Sequence, residues 1–127
     1  MSEHSTQSEQ RPLIIANPNS AGGALGKRWD KLSGALEVIL GPVDHAFTLG
    51  QGDGARLSRE AAQRGRRLVV AMGGDGTISE VVDGLFDDHG PLAPDIELGI
   101  LPFGTGGDFI RTLELPRDLE GTARRLA

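Results

Sequence analysis

The sequence predicts a single α/β domain built on a mostly parallel sheet with helices on both faces. Three observations predict it. Apolar strand-like runs alternate with helix-spaced runs from Pro12 to the end of the chain. The strand-like runs are nearly continuous in apolar residues, the pattern of strands covered on both sides. Each of these runs is followed by a turn rich in glycine and small polar residues.

Met1 to Gln10 is polar and reads as a loose tail, with no apolar segment that would suit a signal peptide or anchor. Pro12 to Ala16 (PLIIA) reads as a buried strand, and NPNSAGG after it as turn chemistry. Leu25, Trp29, Leu32, Leu36 and Ile39 step by four and three, which predicts one amphipathic helix ended by Gly41-Pro42. Val43 to Thr48 alternates as a strand. GQGDG then turns the chain, and Asp53 is the expected N-cap of a helix running to about Gly65. Leu68 to Met72 is a third strand. Ile78, Val81, Val82 and Leu85 form the apolar face of the next helix. Asp87 to Asp95 reads as a loop with two prolines, and Ile96 to Leu101 as a fourth strand. PFGTGG turns into a helix over 108–112, Pro116 breaks it, and Leu119 to Ala127 is helix-like again.

Composition narrows the function. The 127 residues suit one ordinary domain, and 38% hydrophobic content is enough for a core. A formal charge of −5, one Trp, four Phe and no Tyr argue against a nucleic-acid reader. No cysteine is present, which removes disulfides and thiolate metal sites. No apolar run reaches the roughly 18 residues of a membrane span, and the expectation is a cytoplasmic protein. Nineteen glycines are more than twice the usual share of roughly 7%.

Ligands of open α/β sheets bind outside the carboxyl ends of the strands. Four loops leave those ends here: NPNSAGG, TLGQGDG, GGDGT and PFGTGGD. Thr77 with Glu80, and Thr105 with Asp108, have the spacing of a capping box. Each glycine loop would therefore run into a helix N-terminus, whose free N–H groups favour an anion such as phosphate. Capping alone would account for Glu80 and Asp108, but not for the glycines. Asp75, inside GGDGT, is also compatible with an Asx turn. An acid beside an anion site calls for a metal or a proton, so Asp75 is the candidate acid/base group or magnesium contact.

Other templates fail. In AGGALGKR, Ala21 replaces the first glycine of a P-loop and Arg28 its Ser/Thr. GQGDGA fits G-x-G-x-x-A only formally. No acidic residue is suitably placed for a dinucleotide-binding oxidoreductase. His4, His45 and His89 are scattered, with His45 expected to pack in its strand. Lys27 and Arg28 read as a solvated helix face, and Arg64 to Arg67 as a surface turn.

Together NPNSAGG (17–23), FTLGQGDGARLSREA (47–61), GGDGTISEVVDGL (73–85) and LGILPFGTGGDFIRT (98–112) resemble the catalytic domain shared by diacylglycerol kinases, sphingosine kinases and bacterial lipid kinases. The resemblance covers nearly all of 11–127. It implies a Rossmann-like three-layer sandwich, the N-terminal domain of the NAD kinase/diacylglycerol kinase-like fold. It also implies transfer of the γ-phosphate of ATP to a lipid hydroxyl, with Mg2+ as the metal and peripheral contact with the inner membrane face. By position, it implies nucleotide contacts at Asn17, Thr48, Gly73, Gly74, Asp75, Gly76, Thr77, Ile78, Ser79, Gly104 and Thr105, with Asp75 catalytic. Ser79 and Gly107 stand where the family often has Asn, and Gly107 has no side-chain amide to replace it. Proteins of this type resemble two-domain enzymes with a β-rich second domain; the 127 residues are expected to stop after the nucleotide-binding half, as a fragment, a truncated product or a chain that needs a partner. The expectation is thus a nucleotide-binding half that is a poor kinase alone. An NAD kinase-like enzyme and a non-catalytic nucleotide-binding module are the competing readings; NPNS and PFGTGGDF favour the lipid branch.

Overall fold

A computed structural model describes residues 11–93 and 95–102. The expected N-terminal tail, the PFGTGG turn after its Pro102, and the two helices over 108–127 lie outside the described residues.

Four strands form one parallel sheet: β1 (Leu13–Ala16), β2 (Asp44–Phe47), β3 (Leu68–Gly73) and β6 (Glu97–Pro102), in the order β2-β1-β3-β6. Leu13 pairs with Asp44 on one side and Val69 on the other, and Leu68 with Glu97. Between the strands run α1 (Ala24–Lys27), α2 (Trp29–Leu40), α3 (Asp53–Gln63) and α4 (Asp75–Gly84). A two-residue-strand hairpin, β4 (Phe86–Asp87) with β5 (Gly90–Pro91), occupies what the sequence suggested was a plain loop. Among the described residues, no helix is long and apolar enough to cross a membrane.

The alternation of side chains along the central strands explains the three layers. Ile14, Ala16, Val70 and Met72 point to one face, where they meet Leu25, Trp29, Leu32 and Leu36 of α1 and α2. Leu13, Ile15, Val69 and Ala71 point to the other, where Ala61 of α3 and Val81 of α4 cover them. The central strands are apolar on both faces because both faces are buried. The helices divide this way because the chain reverses direction. It moves from β1 out to β2, then returns past β1 to β3 and on to β6. Right-handed crossovers in opposite directions put their helices on opposite faces. The reversal leaves a crevice at the carboxyl ends of β1 and β3, the usual ligand position in such sheets.

Several sequence expectations change in detail. The single helix expected from Leu25 to Ile39 is two, broken at Arg28, whose N–H donates to the carbonyls of both Ala24 and Leu25. The preceding turn causes the break: Gly26 N–H is held by Pro18 C=O at 3.0 Å, and Ala21, Gly22 and Gly23 all have positive φ (56°, 69° and 93°). Arg64, Gly65 and Arg67 are exposed, as a surface turn should be, but the side chain of Arg66 folds inward. Its side chain is 12% exposed and its Nη1 lies 2.7 Å from an oxygen of Asp44, tying the start of β2 to the α3–β3 turn. His45 lies in β2 as expected. It stays exposed, yet its ring packs 4.9 Å from that of Trp29 and 5.0 Å from that of Phe47. Lys27 and Arg28 are exposed, as a solvated face should be.

Helices α3 and α4 approach unusually closely. The hydroxyl of Ser58 donates to Val81 C=O at 2.8 Å, and Gly84 has no side chain to hold the helices apart. A Cβ on Gly84 would overlap the Ser58 hydroxyl and the Ala55 carbonyl.

Candidate functional site

A cleft of about 270 Å³ opens at the carboxyl ends of β1, β2 and β3. It is lined by Asn17 and Asn19 of the first loop, Thr48 to Gln51 of the second, and Gly76, Thr77 and Glu80 of α4. Three of the four glycine-bearing loops thus meet around one space. The fourth lies outside the described residues, and with it Gly104, Thr105, Gly107 and Asp108.

The first loop is shaped by its own amide. Asn17 Oδ1 accepts the N–H of Asn19 at 2.9 Å, and Asn17 N–H extends the sheet by donating to Met72 C=O at 3.2 Å. Thr48 is anchored likewise, its N–H donating to Ala16 C=O at 2.9 Å. Beyond Thr48 the chain opens outward, and Leu49 exposes 86% of its surface at the cleft mouth.

The third wall is the N-terminus of α4. Gly74 alone connects β3 to this helix, and no side chain caps it. The first intrahelical bond runs from Ile78 N–H to Gly74 C=O at 3.1 Å, so the N–H groups of Asp75, Gly76 and Thr77 precede the ladder. With the aligned peptide dipoles, they make this end of the helix partly positive. Gly73 lets the corner close tightly. A Cβ there would lie 3.0 Å from Thr77 Cβ and Oγ1 and 3.1 Å from Ser20 Oγ.

The expected capping box is absent. Thr77 is buried at the third position of α4 instead of capping it, and Glu80 faces another element entirely. Its two carboxylate oxygens accept the N–H groups of Gly52 at 2.9 Å and of Gly54 at 3.0 Å, at the start of α3. Gly52, not Asp53, is the N-cap of α3, with φ 92°. Asp53 is the first helical residue, and its carboxylate turns back to accept Leu49 N–H at 2.7 Å. The cap falls one residue earlier than expected, with the Asp53 carboxylate engaged by Leu49 N–H and the Gly52 and Gly54 amides by Glu80.

Of the residues singled out in the sequence, Asn17, Thr48, Gly76 and Thr77 line the cleft. Gly73 and Gly74 form the corner under it. Asp75 and Ser79 are exposed on α4 beside it, and Ile78 packs into the core against the sheet. Asn19, Leu49, Gly50, Gln51 and Glu80 also line the cleft but were not expected as contacts. The first four lie in the same turn stretches as Asn17 and Thr48, so their membership was a signal within reach. Glu80 offered none, since its partners are 26 and 28 residues away.

Three carboxylates surround the site, and two are engaged. Asp53 holds Leu49, and Glu80 holds Gly52 and Gly54. Asp75 is exposed, with no hydrogen-bond or ion-pair partner among the described residues. Also among the described residues, no group of three or more His, Asp or Glu side chains is placed to hold a metal unaided. A magnesium ion would suit Asp75 as one protein ligand completed by phosphate oxygens and water, its common mode beside nucleotides.

Comparison with known proteins follows the same line. Residues 11–127 match the family model of the diacylglycerol kinase catalytic domain. A diacylglycerol kinase from Bacillus subtilis is 38% identical over 109 residues, covering 86% of this chain and 35% of that protein. One from Staphylococcus haemolyticus is 42% identical over 115 residues, covering 85% of this chain and 32% of that protein. A crystal structure of a diacylglycerol kinase from Bacillus anthracis superposes with a TM-score of 0.65 at 30% identity, over 91% of this chain and 40% of that one. The chain spans about a third of the length of the curated relatives it matches.

Proposed function

The chain belongs to the diacylglycerol kinase catalytic domain family, and we propose that it is the nucleotide-binding half of an ATP-dependent lipid kinase. The observation that carries this is the uncapped α4 N-terminus facing a cleft whose other two walls come from the β1 and β2 loops. An uncapped helix end beside a glycine corner suits a phosphate chain. Asn17, Thr48, Gly73, Gly74, Asp75, Gly76 and Thr77 are the proposed nucleotide contacts. Ile78 enters only through its backbone, because its side chain belongs to the core. Ser79, Gly104 and Thr105 complete the proposed set.

Phosphoryl transfer is mainly positioning and charge stabilisation. The acceptor hydroxyl oxygen forms a bond to the γ-phosphorus as the bond to the β–γ bridging oxygen breaks, and ADP leaves. The N–H groups at the start of α4 hold the phosphate oxygens. Asp75 carries one of those donors on its backbone, and its carboxylate works on the transferring group, as acid/base or as a ligand of the divalent ion. Magnesium, when bound, would neutralise phosphate charge. The acceptor is a lipid carrying a free hydroxyl, which implies peripheral contact with a membrane; the remaining two thirds of the relatives' length is where its pocket belongs.

A titration of the isotope-labelled chain with ATP and magnesium tests this. The amide signals of Gly76, Thr77, Asn19 and Thr48 should move together. Unmoved signals would refute nucleotide binding at this cleft. Labelled ATP offered with either diacylglycerol vesicles or NAD, to a form carrying the family's second half, should label the lipid. Labelling of NAD would assign the chain to the NAD kinase-like branch.

A further inference from the structure

We propose that Glu80 is a positioning residue of the nucleotide cleft: its carboxylate reaches from α4 to Gly52 and Gly54 and sets the Thr48–Gln51 wall at its working distance from the α4 N-terminus. The proposal rests on the nucleotide reading above and adds to it a residue that touches neither the phosphates nor the acceptor.

The geometry is specific. Both oxygens are used, at 2.9 Å and 3.0 Å, each on one of the free N–H groups at the start of α3. Charge-assisted bonds of this kind are among the stronger ones in proteins. Gly54 is shaped for the contact, since a Cβ there would stand 2.9 Å from Glu80 Cβ and 3.0 Å from its Oε1. Gly54 of the GQGDG turn is therefore accounted for by approach of a carboxylate rather than of a phosphate, and Gly52 by its φ of 92°. The loop is held again on its far side by Asp53, through Leu49 N–H.

Glu80 is not needed to dock α3 on α4. The Ser58–Val81 bond and the close contact at Gly84 already do so, further along both helices. The Glu80 contact sits at the cleft end, where one wall meets the other. It also gives the cleft a polarity. Glu80 lies on α4 about 6 Å along the axis from Gly76, so negative charge stands one turn away from the partly positive helix end. A triphosphate is directed to the Gly74–Thr77 end, and the uncharged part of the nucleotide to the Thr48–Gln51 wall.

Calorimetric titration of the chain with MgATP tests this in the unmutated protein, Glu80→Gln, Glu80→Ala and Ser58→Ala. Glu80→Gln keeps shape and one oxygen acceptor and guards against a Glu80→Ala that does not fold. The expected result is a Kd raised about 5- to 30-fold by Glu80→Gln, from the loss of one charged bond, and further by Glu80→Ala. Amide exchange at Gly52 or Gly54 should quicken in step. Ser58→Ala should lower the thermal midpoint while leaving the Kd within twofold. No binding by the unmutated chain would overturn the nucleotide reading and this proposal with it. Binding that both Glu80 variants leave within twofold would overturn this proposal alone.

Discussion

Gly84→Ala sets two physical effects against each other. Local propensity favours the change, because alanine is better than glycine in a helix by about 1 kcal/mol. Packing opposes it. Gly84 is buried at the last position of α4, and a Cβ there would overlap the Ser58 hydroxyl and Ala55 carbonyl and lie 2.9 Å from Ala55 carbonyl carbon. Two of these three atoms are helix backbone, which cannot rotate away, so α3 and α4 must separate. Overpacking of this kind costs about 1–3 kcal/mol. Separation also breaks the 2.8 Å bond from Ser58 to Val81 C=O; the hydroxyl keeps its 3.2 Å bond to Ala55 C=O in its own helix, so the loss is that of one hydrogen bond, about 0.5–1.5 kcal/mol more. The net after the propensity gain is a loss of about 0.5–3.5 kcal/mol. For a domain of this size each kcal/mol lowers the midpoint by about 4 °C. The thermal midpoint followed by circular dichroism should therefore fall by about 2–14 °C. A midpoint equal to or above that of the unmutated chain would show that the α3–α4 approach is wider than described.

Asp75→Asn should leave the unfolding midpoint within a few degrees, because its carboxylate is exposed. In a form that phosphorylates lipid it should lower kcat by roughly 10²–10⁴; an unchanged rate would make Asp75 a turn residue. Gly73→Ala should push Thr77 and Ser20 outward from contacts of 3.0–3.1 Å. That should cost about 1–3 kcal/mol in urea unfolding and weaken MgATP binding measured by calorimetry. Unaltered stability and affinity together would contradict the tight corner under the cleft.

Much of the fold was legible because the central strands carry their environment in their composition. PLIIA and LVVAM are apolar at consecutive positions, which only a two-sided burial rewards, and the structure buries them on both faces. Helix α4 was legible for the same reason, its Val81 fully buried one turn after Ile78. What misled was local continuity. The Leu25–Ile39 spacing runs smoothly through Arg28, yet the chain breaks there, because backbone bonds from Gly26 to Pro18 hold α1 against the preceding loop. No periodicity records a tertiary hydrogen bond. The β4–β5 hairpin was missed because strands of two residues have no pattern to read.

The site divides along the same boundary. The loops that carry Asn17, Thr48, Gly76 and Thr77 were legible because a parallel sheet sends its loops to one rim, so identifying the strands located the cleft, while the individual positions came from the family resemblance. The roles of the acids were not, because an acid three residues past a threonine looks the same whether it caps its own helix or the preceding one. The outcome depended on Gly54, whose missing Cβ lets Glu80 reach α3, and on Gly52, whose φ of 92° presents its N–H. Once Glu80 and Asp53 are assigned to backbone amides, the remaining acid has a sharper meaning. A bound triphosphate adds several negative charges beside three carboxylates, which a divalent cation must offset. Asp53 and Glu80 would have to give up their hydrogen bonds, at about 1.5–3 kcal/mol each, to take part. Asp75 gives up none. On the proposed reading the cation is expected at the Asp75 end of α4, and removing magnesium should weaken ATP binding far less in Asp75→Asn than in the unmutated chain. Equal magnesium dependence in the two would place the ion elsewhere.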